Sequence, residues 1–285
     1  MNICLFGGTF DPVHNGHVAI AQAAAQRFSL KQVLFCPAYL SPFKAQQKTA
    51  PYPHRFAMLA LALQGKRGFL VSDLESPAVT GGNAPNYTID TVVRLRKSLP
   101  KSGRLFFLCG IDAFEQIAKW HRAEDLLASV EFIVASRPGH SLADVASALP
   151  ESIRPDKAVI AASRKVESED LVLRGATIHL LPETHEAAAS TELRDALRAK
   201  RGVGRFVDAA VLEYIQRQRL YAQMPEKEES EPSTQASPAP MERAKRASKS
   251  RSASPRAARS SAQAKPNKSA RVIDFPKGKR QRRTE

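Results

Sequence analysis

Residues 3–28 pass from an apolar run (Ile3, Cys4, Leu5, Phe6) through the eleven residues from Gly7 to His17, GGTFDPVHNGH, into an Ala-rich stretch. No other segment constrains the fold as much. A short strand that ends in a Gly pair and leads straight into a helix fits one strand–loop–helix geometry. Gly7 and Gly8 let the backbone approach an anion without a side-chain clash. The helix begins near Gly16, so its unpaired N–H groups and positive dipole end face the same spot. His14 and His17, three residues apart, add imidazole donors that can follow charge onto phosphate oxygens. A Gly pair alone is an ordinary turn, and a lone His is usually a core or surface residue. Agreement of the Gly pair, the Asp-Pro turn and the paired His on one geometry points to a polyphosphate.

The same alternation continues to about residue 221. Strand-like runs fall at 3–6, 32–37, 69–72, 105–109, 132–135 and 177–181, and helix-like runs at 17–28, 54–64, 88–99, 123–128, 191–200 and 208–218. Strands rich in Val, Ile, Leu and Phe, without clean alternation, predict a parallel sheet covered on both faces. The expected class is therefore α/β, a doubly wound Rossmann-like sheet whose ligands bind beyond the carboxyl ends of the strands. Gly7–His17 follow the first strand, Gly110–Asp112 the fourth and Arg137 the fifth, which suggests one shared cleft.

Charge divides the chain in two. Residues 223–285 carry 16 Lys and Arg against 7 Asp and Glu, so +9 of the formal net charge of +15 lies there. Pro, Ser, Ala, Lys and Arg dominate this stretch, and it cannot bury enough apolar surface to offset chain entropy. Residues 1–221 are expected to form the folded domain and 222–285 a disordered basic tail. That tail is either a solvated appendage or an arm with weak, nonspecific attraction to nucleic acid phosphates or an acidic partner. Cys4, Cys36 and Cys109 lie in or beside apolar runs without metal-ligand spacing, as reduced cytosolic thiols do. No 18-residue apolar stretch and no signal peptide is visible, so a soluble, cytoplasmic protein without a membrane partner is expected. Oligomeric state is not legible.

Further site candidates follow strand ends or open helices. Lys44, in the loop after the second strand, can reach phosphates opposite the His pair or simply be solvated. Ser190 or Thr191 is the expected N-cap of a helix whose first turn carries Arg194. A cation there opposes the helix dipole, which makes sense when an anion shares the site. Thr88 caps the helix after Asn86-Tyr87 or contributes to a pocket. Trp120, between Lys119 and His121-Arg122, is either core or a half-exposed ring for stacking. Asp112 reads equally as an N-cap.

The GGTFDPVHNGH string resembles the signature of the H-x-G-H nucleotidyltransferases, and in this longer form that of bacterial nicotinate-nucleotide adenylyltransferases. The resemblance spans about residues 3–221 and ends at Arg219-Leu220-Tyr221. Ala189-Ser190-Thr191-Glu192-Leu193-Arg194 is similar to the second signature of the family, I-S-S-T-x-x-R, with Ala189 in place of its first Ser. The Pro usual before the last helix is missing at Phe206-Val207-Asp208. The resemblance implies ATP contacts from Gly7, Gly8, Thr9, Phe10, His14, His17, Asp112, Ser190, Thr191 and Arg194. It further implies catalytic roles for His14, His17, Lys44 and Arg194. Tyr87, Thr88, Trp120 and Arg137, the last in an R-P-G turn, would hold nicotinate mononucleotide.

The implied reaction joins ATP and nicotinate mononucleotide into deamido-NAD and pyrophosphate by in-line attack on the α-phosphate, a step of NAD biosynthesis. Mg²⁺ is expected to arrive with ATP, because it prefers phosphate oxygens and water, and no metal cage of protein ligands is expected. The alternatives are a related nucleotidyltransferase using nicotinamide mononucleotide or phosphopantetheine, or a non-catalytic nucleotide sensor docked on nucleic acid through its tail.

Overall fold

A computed structural model describes residues 1–42, 49–82, 84–100, 102–136, 140–158, 160, 170–173, 175–182 and 189–222. Lys44, Arg137 and residues 223–285, with the expectations attached to them, lie outside the described residues.

The described strands are β1 (Asn2–Gly8), β2 (Gln32–Pro37), β3 (Phe69–Val71), β4 (Arg104–Gly110), β5 (Glu131–Ser136), β6 (Asp170–Leu173) and β7 (Ala176–Pro182). They form one sheet in the order β3-β2-β1-β4-β5-β7-β6. All neighbours run parallel except the β6–β7 pair. The expected parallel sheet is present, and β6 adds one antiparallel strand at its edge. β6 carries no strand signal in the sequence, for a physical reason. It is four residues long, and Val172 at its centre is 71% exposed, so no buried apolar run marks it.

Side chains alternate across β1. Ile3 and Leu5 join one core with Leu105, Phe107 and Phe132, while Cys4 and Phe6 join the other with Val33, Phe35 and Phe106. The first core is covered by α4 (Thr88–Ser98), through Ile89, Val92 and Leu95, and by α6 (Ala123–Ser129). The second lies under α1 (Asn15–Arg27), α2 (Tyr52–Ala62) and α9 (Ala209–Arg217), through Ala21, Ala24, Met58, Leu59, Val211 and Ile215. Helices on both faces bury the central strands twice, which is why those strands read as continuous apolar runs. The short helices α3 (Pro77–Thr80) and α7 (Leu142–Ala148) were not foreseen, and α5 (Ile111–Phe114) and α8 (Ser190–Arg198) complete the set. For α7 a signal existed: Ser141 and Asp144 form a capping box, with the Ser141 N–H donating to Asp144 Oδ2 at 2.7 Å.

Strand order reverses between β2-β1 and β4, so the carboxyl ends of β1 and β4 open a crevice at the switch point. The last helix starts without the usual Pro because Asp208 caps it, accepting the Ala210 N–H at 2.9 Å. All three cysteines are unpaired and buried. No described helix is long and apolar enough to cross a membrane.

Candidate active site

At the crevice lies a cavity of about 420 Å³, lined by Gly7, Gly8 and Thr9 on one side and Tyr87, Thr88, Asp112 and Trp120 on the other. Residues from four separate stretches of sequence converge there because each follows or faces the carboxyl end of β1 or β4. The glycines serve packing as well as access. A Cβ on Gly7 would meet the Phe107 ring at 3.0 Å, and one on Gly8 the Phe10 ring at 2.9 Å, both closer than carbon atoms tolerate.

The opposite wall is aromatic. Tyr87 and His121 stack with ring centroids 4.3 Å apart, and Trp120 meets Phe107 edge-on at 6.0 Å. Trp120 is half-buried, packing on the core while one part of it lines the cavity. Asn86 ties this wall to the loop after β2. Its Oδ1 accepts the Leu40 N–H at 3.0 Å, and its own N–H donates to Leu40 O at 2.8 Å. Two N-cap expectations are corrected here. Tyr87 rather than Thr88 caps α4, and Gly110 rather than Asp112 caps α5, leaving Asp112 in the first turn with its side chain at the cavity.

Glu75 is a cavity residue that the sequence analysis missed. Its carboxyl accepts the Thr91 hydroxyl at 2.9 Å. Burial raises its pKa, against the hydrogen bond from Thr91 and the charge of Arg94. Cys36 and Cys109 also line the cavity, and burial pushes both thiols up, Cys109 to about 12, so they stay protonated and unreactive.

His14 and His17 flank the start of α1. The His14 backbone N–H donates to His17 Nδ1 at 3.3 Å, so a neutral His17 carries its proton on Nε2. Their ring centroids are 3.7 Å apart. Two imidazolium charges that close would repel by about 4 kcal/mol at an effective dielectric of ~20, so the free protein does not charge both. Burial pulls the His14 pKa down to about 4, so its ring is neutral near pH 7. Its buried Nδ1 has no hydrogen-bond partner, a donor or acceptor held in reserve. His14 does not line the large cavity. It borders a separate one of about 330 Å³ with Asn15, Lys66 and Asp208. Phe10 is also displaced from its expected role. The whole residue is only 2% exposed, and its ring packs against Phe6, Phe35 and His17.

The amino end of α8 docks on the same loop. Ser190 Oγ donates to Pro12 O at 3.2 Å, Arg194 donates to Asp11 O at 2.8 Å, and Arg194 also reaches Thr191 Oγ1 at 3.0 Å. The N-cap is Ala189, one residue before the expected Ser190 or Thr191. Replacing a hydroxyl residue at such a position costs a helix about 1 kcal/mol. Here the Glu192 carboxylate answers in part, accepting the Ala189 N–H at 3.2 Å. Arg55 was missed as well. It is 2% exposed, and its guanidinium donates to Thr9 O at 2.8 Å and Ala50 O at 2.9 Å.

Cytidylyltransferase-like proteins match residues 5–196. A probable nicotinate-nucleotide adenylyltransferase of Pelobacter propionicus is 34% identical over 227 residues, covering 79% of this chain and 100% of its own length. One of Solibacter usitatus is 45% identical over 141 residues, or 50% of this chain and 72% of that relative. Among solved structures, Plasmodium falciparum nicotinic acid mononucleotide adenylyltransferase complexed with NaAD superposes with a TM-score of 0.54 at 18% identity. The match covers 77% of this chain and 97% of that one, a likeness of fold.

Proposed function

We infer that this chain, which belongs to the cytidylyltransferase-like family and within it to the nicotinate-nucleotide adenylyltransferases, joins ATP to nicotinate mononucleotide. The products are deamido-NAD and pyrophosphate, a step of NAD biosynthesis. The observation that carries this is the single cavity in which the backbone of Gly7 to Thr9 faces the wall of Tyr87, Thr88 and Trp120. One side suits phosphates and the other a flat pyridine ring.

The phosphate of the mononucleotide is already an anion near neutral pH, so its oxygen attacks the α-phosphorus of ATP without a general base. The remaining tasks are alignment and stabilisation of charge that moves onto the leaving pyrophosphate. In this reading His14 and His17 supply imidazole donors, and Arg194, with Lys44, supplies fixed positive charge. Gly7, Gly8, Thr9, Asp112, Ser190 and Thr191 surround ATP. Tyr87, Thr88 and Trp120 hold the mononucleotide, with Arg137 as a further phosphate contact. Mg²⁺ enters with ATP on phosphate oxygens and water. Among the described residues no three His, Cys, Asp or Glu side chains are grouped as a metal cage. The enzyme works in the cytoplasm through residues 1–221, and the basic tail is an appendage to it.

The test is turnover with ATP, Mg²⁺ and nicotinate mononucleotide, followed by pyrophosphate release. His17→Ala is expected to lower kcat on the order of a hundredfold. Preference for nicotinamide mononucleotide would overturn the substrate assignment, and unchanged turnover in the variant would overturn the role of His17.

A further inference from the structure

Asp11 lies inside the phosphate-facing loop yet is only 2% exposed, and its contacts join three distant parts of the chain. Oδ1 accepts the Tyr221 hydroxyl at 2.6 Å and the Ala50 N–H at 3.2 Å. Oδ2 has no hydrogen-bond partner, and Arg194 approaches it at 3.9 Å. A buried carboxylate left without a donor is costly, so the phenol and the amide are what allow Asp11 to stay where it is.

The neighbouring carbonyls are held from outside as well. Thr9 O is taken by Arg55, Asp11 O by Arg194 and Pro12 O by Ser190. In a planar trans peptide the C=O and the next N–H point in opposite directions. Anchoring Thr9 O and Pro12 O therefore turns the Phe10 and Val13 N–H groups the other way, where backbone donors can form an anion-binding concavity. Tyr221 itself sits at φ +62°, a conformation that a non-glycine residue keeps only when its surroundings hold it. Burial, and then the nearby Asp11 charge, raise the Tyr221 pKa, so the phenol remains a donor.

We propose that Tyr221, acting through the Asp11 carboxylate, is a positioning residue for the triphosphate, fixing the loop from Thr9 to His14 and the guanidinium of Arg194 in one arrangement. This rests on the assignment of ATP to that loop. The last described turn of the chain thereby sets the geometry of a motif 210 residues earlier. Asp11 is the relay, and neither residue touches substrate.

The experiment compares wild type, Tyr221→Phe, Asp11→Asn and the double variant. Removing one hydroxyl from a charged acceptor is expected to raise KM for ATP about tenfold, with KM for nicotinate mononucleotide unchanged within twofold. The effect of Tyr221→Phe should largely vanish in the Asp11→Asn background, because the two act as one unit. Thermal midpoints follow the fold in parallel. An unchanged KM for ATP in Tyr221→Phe, or equal increases for both substrates that track a falling midpoint, would overturn the proposal. Calorimetric titration with ATP separates this from the proposed reaction. If wild type binds ATP but makes no deamido-NAD, the reaction assignment fails. Tenfold weaker ATP binding by Tyr221→Phe would still uphold the positioning role, and equal affinity would end it.

Discussion

The buried imidazole of His14 makes stability depend on pH in a way that one substitution isolates. Burial lowers its pKa from 6.5 to about 4, so the fold favours the neutral ring. A group depressed in this direction contributes its full stability above pH 6.5 and loses it as pH falls towards 4, because the unfolded chain takes up the proton first. The complete loss amounts to about 3 kcal/mol, and between pH 7.5 and pH 5 it is about 2 kcal/mol. In His14→Gln no titration remains at this position. Urea unfolding of wild type and variant across that range should give free energies whose difference changes by about 2 kcal/mol. A domain of this size would show it as roughly 4–8 °C in relative Tm. Saturating ATP should shrink the wild-type loss, since a triphosphate beside the ring favours the imidazolium. Parallel pH curves for the two proteins would refute the reasoning, for they would mean that His14 meets water as freely in the fold as in the unfolded chain.

Three other outcomes are expected. Trp120→Ala should raise KM for the mononucleotide about tenfold through lost ring stacking while KM for ATP holds; equal increases would make Trp120 a scaffold residue only. Gly8→Ala places a Cβ 2.9 Å from a Phe10 ring already wedged between Phe6 and Phe35. Overpacking of this kind should destabilise by about 1–3 kcal/mol in chemical denaturation, and an unmoved midpoint would show that the ring yields freely. A chain ending at Ala222 should keep near-full turnover, and a fall below a tenth would give the tail a part in catalysis.

Legibility followed the range of the interactions involved. The strand–loop–helix at the amino terminus could be read because hydrophobic run, Gly pair and helical spacing are all local. β1, β2, β4, β5 and β7 could be read because burial on two faces leaves an apolar run in the sequence, and the edge strand β3 because Phe69, Leu70 and Val71 are all apolar. β6 could not, since alternate side chains of an edge strand stay in water. N-caps moved by one or two residues at Ala189, Tyr87 and Gly110, where the backbone leaves the helix before the first side chain that looks like a cap.

The site divides along the same line. Tyr87, Thr88 and Asp112 could be picked out because each follows a strand or opens a helix, and such positions gather at one end of a parallel sheet, whereas Trp120 stood out by its polar neighbours; all four line the cavity. Asp11 was visible only as half of a turn, Arg55 as one more polar residue of a helix, and Tyr221 as the end of a family resemblance. What gives them a role is a partner 39, 46 or 210 residues away. Hydrophobic periodicity records which face of an element is buried, but it carries no trace of which buried charge meets which hydroxyl. The polar contacts that hold the loop from Thr9 to Pro12 are therefore the part of this site that only the folded chain discloses, and substitutions at Tyr221 or Arg55 should weaken ATP binding although neither lies in a signature.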